Sequence, residues 1–85
     1  MAEQEIGVVV HYYDKIQVAA IRLTKGTLKN GDTIRIRGSK TDVQQTVSSM
    51  QIEHEVVSEA KSGDDIGLKV DEPVHENDQV LKVAD

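Results

Sequence analysis

The sequence predicts an all-β protein, folded as a small closed antiparallel β-barrel. Three observations lead there. Short aliphatic runs alternate with polar residues, as at Thr33-Ile34-Arg35-Ile36-Arg37, which is the period of a half-buried strand. A hinge phrase comes before three of these runs: Gly31-Asp32-Thr33-Ile34, Gly63-Asp64-Asp65-Ile66 and Asn77-Asp78-Gln79-Val80. Glycine reaches positive φ freely, and asparagine is among the side chains that best replace it there. Finally, no stretch of ten or more residues keeps an apolar face at helical period. Because the three phrases are unevenly spaced, they do not make a solenoid.

The first strand is expected over Glu5 to Tyr13, with Ile6, Val8 and Val10 on one face and Gly7, Val9 and His11 on the other. Gly7 marks a bulge or a close approach of backbones. After a turn at Asp14-Lys15, the second strand covers Ile16 to Leu23, with Ala19, Ile21 and Leu23 inward. Thr24 to Lys29 reads as a loop, and Leu28 anchors it on the core. Asp32 follows Gly31, and its carboxylate is expected to accept from amides a residue or two further on. The third strand, Thr33 to Arg37, puts Ile34 and Ile36 inward and ends at Gly38. A turn at Ser39 to Asp42 comes next. Val43 to Val57 is too long for one regular strand, and its apolar positions change from odd (Val43, Val47) to even (Met50, Ile52). One extra residue near Ser48-Ser49, a β-bulge, would restore the register. Val56 to Lys61 is expected to coil or form a helical turn. The last strands are Asp65 to Val70, broken by Asp71-Glu72-Pro73, and Gln79 to Val83.

With 85 residues the chain is expected to form one domain, residues 1–85, with a modest core. That core must be built from Val, Ile, Leu and Ala, because there is no Phe or Trp. The absence of cysteine excludes disulfides and thiolate metal sites and fits a reducing compartment. The acidic start has no signal-peptide character, and Val8-Val9-Val10 is far too short for a membrane span. A cytoplasmic monomer with no membrane contact is expected. The net charge of −5 opposes general nucleic-acid affinity. Locally, however, Arg35, Arg37 and Lys40 form a basic cluster, while acidic residues concentrate between Glu53 and Asp78.

Four motifs in order now resemble a known family: Leu28-x-x-Gly31-Asp32-x-Ile34-x-Ile36-x-Gly38, Val47-x-x-Met50-x-Ile52, Ala60-x-x-Gly63-Asp64-x-Ile66-Gly67-x-x-Val70 and Asn77-Asp78-x-Val80. Together they are similar to the second domain of translational GTPases such as elongation factor Tu and initiation factor two, and they span residues 5 to 83. His11-Tyr12-Tyr13-x-Lys15-Ile16-x-Val18-Ala19 and Ser49-Met50-Gln51-Ile52-Glu53-His54 look like two subgroups. One comprises the small stand-alone translation elongation factor-like proteins. The other is the C-terminal barrel of collagenase-like peptidases. The resemblance implies a small closed antiparallel barrel. In the elongation factors that barrel touches aminoacyl-tRNA or the ribosome. Their contact residues match no recognisable positions here, and no nucleotide-binding domain is expected within these residues.

Little chemistry is legible. Gly38-Ser39-Lys40-Thr41 lacks the spacing of a phosphate loop, and a strand rather than a helix follows it. His11, His54 and His75 are scattered and are not expected to converge on a metal, even with Glu53 and Glu55 beside His54. The carboxylates show no paired arrangement around a pocket, and Ser48 and Ser49 lack a nucleophile's setting. No catalytic residue, cofactor or metal is therefore expected. The best binding candidates are Tyr12 and Lys15 on the first hairpin and Arg35, Arg37 and Lys40 around the third strand. An exposed tyrosine beside cations can stack a base or dock a peptide. The expected function is a non-catalytic module that associates with tRNA, the ribosome or a translation or RNA-modification protein. The alternative is a protein–protein adaptor that uses the acidic face or a barrel edge.

Overall fold

The computed structural model describes residues 2–53 and 55–84. Among them the strands are β1 (Ala2–Tyr13), β2 (Val18–Leu23), β3 (Thr27–Lys29), β4 (Thr33–Arg37), β5 (Asp42–Thr46), β6 (Met50–Ile52), β7 (Glu55–Val56), β8 (Glu59–Lys61), β9 (Asp65–Lys69) and β10 (Gln79–Ala84). The main sheet has the antiparallel order β5-β4-β10-β1-β2-β9-β6-β7, and β3 pairs with β8 as a separate ribbon. Its ends, β5 and β6–β7, are consecutive in the chain. The sheet therefore curls until Val47-Ser48-Ser49 carries one edge directly into the other. The ladder does not run through this seam. Instead Lys69 N–H donates to Ser49 O at 3.3 Å. The Gln45 side chain donates to Lys69 O at 2.9 Å and accepts from Asp71 N–H at 3.0 Å.

The three hinge phrases fold alike. In each, the aspartate amide donates to the carbonyl three residues back: Asp32 to Lys29 at 3.0 Å, Asp64 to Lys61 at 3.0 Å and Asp78 to His75 at 3.2 Å. The aspartate carboxylate accepts from that same residue's N–H, at 2.9, 3.0 and 2.8 Å respectively. The carboxylate thus reaches back three residues, not forward one or two as the sequence predicts. Gly31, Gly63 and Asn77 hold the required positive φ of 94°, 94° and 73°. Each hinge also exchanges two main-chain hydrogen bonds with one buried aliphatic residue. Gly31 and Asp32 bond Val47, Gly63 and Asp64 bond Leu23, and Asn77 and Asp78 bond Val9, all at 2.8–2.9 Å. Buried Leu28, Ala60 and Val74 precede the three hinges, and buried Ile34, Ile66 and Val80 follow them. Each hinge unit thus pins two core side chains, and full burial of an aliphatic side chain is worth about 1.5–3 kcal/mol.

Several expectations change in detail. Strand β1 carries two register shifts, around Ile6 against β10 and around Val10 against β2. Simple alternation therefore fails: Ile6 and Val9 are buried, Tyr12 packs on the core, and Val10 is exposed. The close approach anticipated at Gly7 is present, since a β-carbon there would stand 2.5 Å from Arg22 O. Strand β2 begins at Val18, leaving Ile16 in the turn. Thr24 to Lys29 is not all loop, because β3 pairs with β8. Of residues 56–61, Val56 ends β7 and Glu59–Lys61 form β8, so only residues 57 and 58 coil and there is no helical turn. The phase change at Ser48-Ser49 is the point where the chain leaves β4 and joins β9.

Candidate docking surface

The basic cluster lies on the outer face of β4 and in the turn that follows it. Arg35 is fully engaged there. Its Nε and Nη2 donate to the two Asp42 oxygens at 2.7 and 2.8 Å, and its Nη1 donates to Glu3 Oε2 at 2.9 Å. These bonds push the Arg35 guanidinium further above its already high range. The hydrogen bond from Arg35, helped by the nearby charge of Arg37, holds the Asp42 carboxyl below the usual carboxylate range. Arg37 and Lys40 are exposed, and neither has an ion-pair partner among the described residues. Tyr12 and Lys15 belong to the β1–β2 hairpin, a different part of the surface. Tyr12 packs against the core. Its neighbour Tyr13 faces out, edge-on to the His11 ring at 4.5 Å between centroids. The five candidates therefore form two groups.

A concavity lies on the outer face of β2, β9 and β6. It is an open depression of about 450 Å³. Ala20 pairs with Gly67, and Gly67 with Gln51. Two adjacent positions with almost no side chain thus form its floor, between the walls of Tyr13, Ile16 and Val18 and those of Gln51 and Glu53. Ile16 is 62% exposed and Tyr13 49%. The charged groups in the lining are Glu53 and Asp65, and Asp65 accepts from Arg22 Nε at 2.9 Å. The outside of an antiparallel sheet normally alternates to polar side chains, and here a strip of it is apolar. Sequence reasoning missed this surface. Its signal was the unbroken apolar run Val18-Ala19-Ala20-Ile21, which leaves both faces of β2 without polar groups until Arg22.

One cluster superficially resembles a hydrolytic triad. Thr41 Oγ1 lies 2.7 Å from His75 Nδ1, and Asp78 Oδ2 lies 3.9 Å from the same nitrogen. A working triad joins nucleophile and acid through opposite ring nitrogens. Here both partners meet one nitrogen, and Thr41 is buried. The cluster instead ties the β4–β5 turn to the third hinge. Among the described residues no group of three or more His, Cys, Asp or Glu side chains could hold a metal ion. His54, weighed above as a ligand, lies outside the described residues. No helix among the described residues is long and apolar enough to cross a membrane.

The antiparallel strands and the thrice-used hinge of the described residues define a β-barrel module of the translation-factor type. The family model "Elongation factor Tu domain 2" matches residues 17–73, and the chain belongs to that family. It is 48% identical over 77 residues to the uncharacterized protease MJ0090 of Methanocaldococcus jannaschii. That match takes in 89% of this chain but only 19% of the relative's length. Two crystal structures of the C-terminal domain of a U32 peptidase from Geobacillus thermoleovorans share the fold. One has a TM-score of 0.87 at 17% identity, covering 95% of this chain and 93% of that one. The other, its selenomethionine variant, has a TM-score of 0.84 at 16% identity, covering 91% and 96%.

Proposed function

We propose that this chain is a non-catalytic binding module whose partner is a protein, docked on the outer face of β2, β9 and β6. The observation that carries this reading is the apolar floor and wall of that face, open to solvent where a barrel exterior should be polar. Domains similar to this one occur as parts of longer proteins, which fits a module that works against another polypeptide. The reading includes a cytoplasmic, monomeric domain without a cofactor. A photo-crosslinking residue placed at Ile16, and separately at Arg37, tests it in cells. The expected result is a protein adduct from position 16. RNA adducts from position 37, with nothing at position 16, would sink it.

A second reading rests on the family match and on exposed Arg37 and Lys40, which have no ion-pair partner among the described residues. In it the β4–β5 hairpin associates with tRNA, the ribosome or an RNA-modification protein. The involvement of Arg35 with two carboxylates and the net charge of −5 weigh against it.

A further inference from the structure

We infer that the depression over Ala20 and Gly67 accepts an apolar side chain of an extended protein segment carrying lysine or arginine beside it. The inference deepens the protein-docking reading and rests on it. The floor removes two side chains from adjacent strands, which leaves room for one or two apolar groups against Ile16, Val18 and the Tyr13 ring. The hollow is open rather than enclosed, a form suited to a polypeptide laid across it more than to a small ligand that needs burial on most sides.

Charge selects the occupant. Among the described residues no cation lines the depression, and the charges in its lining are the carboxylates of Glu53 and Asp65. Asp65 is engaged by Arg22, whereas Glu53 has no ion-pair partner among the described residues. Glu53 also sits at a φ of 51°, in the turn that follows β6. A phosphate backbone would be repelled by this lining. A second copy of the chain would set one net charge of −5 against another. A basic segment meets complementary charge at the rim and apolar surface at the floor.

The test uses the isotope-labelled full chain, NMR shift mapping and three synthetic decapeptides. The first alternates leucine with lysine and arginine. The second replaces its basic residues with glutamate, and the third replaces its leucines with serine. The expected result is binding of the first peptide alone, with perturbations at Tyr13, Ile16, Ala20, Gly67 and Glu53. Glu53→Lys and Ile16→Ser change exposed positions, and each should weaken that binding by about fivefold, the scale of a surface contact. Failure of the first peptide to bind, or equal binding of all three, would overturn the inference. Perturbations confined to another face would overturn the groove and leave the protein-docking reading standing. Concentration-dependent dimerisation through Ile16 would overturn the choice of occupant. If tRNA shifts Arg37 and Lys40 and no peptide binds, both the inference and the reading beneath it fall.

Discussion

The side-chain amide of Gln45 spans the barrel seam to the main chain at Asp71, accepting that residue's N–H at 3.0 Å while donating to Lys69 O at 2.9 Å. It does the work of a missing strand neighbour, because backbone groups left without partners on folding are costly. Gln45→Leu keeps the volume and removes both bonds. The expected loss is about 1–2 kcal/mol, since the partly exposed seam lets water take over some of the bonding. Urea unfolding measures the loss. Faster hydrogen exchange at the Asp71 amide is the local signature, and unchanged protection there would show that the seam does not depend on Gln45.

The hinge carboxylates differ in burial, and their importance should follow it. Asp78 is the buried member, with its side chain only 7% exposed. It accepts from His75 N–H inside the structure, and a β-carbon on Gly38 would run into its carboxylate. Asp78→Ala is expected to cost about 2–3 kcal/mol and Asp64→Ala about 1 kcal/mol, because an unsatisfied buried donor costs more than one that water reaches. Equal losses in a melting series would refute this ranking.

Gly38→Ala tests the same contact from the other side. The added methyl must displace a buried carboxylate that two elements hold in place. Overpacking of this kind costs about 1–3 kcal/mol. At Gly31 a β-carbon meets open space, and only the positive φ resists it, so Gly31→Ala is expected to cost about 1 kcal/mol. A larger loss at Gly31 than at Gly38 would contradict the packing argument.

Arg35 and Asp42 predict an acid limb. The folded Asp42 carboxyl is held below its ordinary value by the Arg35 hydrogen bonds. A depressed carboxyl adds stability above its unfolded pKa and loses it as pH falls through the folded value. Stability should therefore drop below about pH 4, the unfolded value of an aspartate. Asp42→Asn should flatten part of that drop while lowering stability at neutral pH. Both groups face solvent, so the effect should shrink in high salt. An unchanged acid limb in Asp42→Asn would assign it to other carboxylates.

The arginines of β4 should also separate in function. Arg35→Ala is expected to lower melting temperature without changing any nucleic-acid affinity. Arg37→Ala should leave melting unchanged and, if the hairpin touches RNA, weaken tRNA binding and reduce its salt dependence. Titrations at two salt concentrations distinguish the two effects. Equal loss of affinity in both variants would place Arg35 in the interface.

Legibility in the sequence followed locality. The hinges were readable because Gly31, Gly63, Asn77 and the aspartates act over four residues. The inward set of β4 and β9 was readable because Ile34, Ile36, Ile66 and Leu68 keep strict alternation. Strand β1 misled because its bulges are set by pairing with β10 and β2, partners invisible in the run Ile6 to Val10. The β3–β8 ribbon was hidden for the same reason: neither three-residue segment looks like a strand without the other. At the surface, residue types named a cationic cluster but not its internal neutralisation, since Glu3 lies far from Arg35 in sequence. The concavity escaped because it consists of what Ala20 and Gly67 lack.

The reciprocal bonds between hinges and distant strands have a kinetic consequence. Val9, near the start of the chain, exchanges two main-chain hydrogen bonds with Asn77 and Asp78, near its end. No early fragment can make these two bonds, and a long loop must close before they form. Nascent chains emerging in order should complete the barrel only when the last strand is free, in a comparatively slow step.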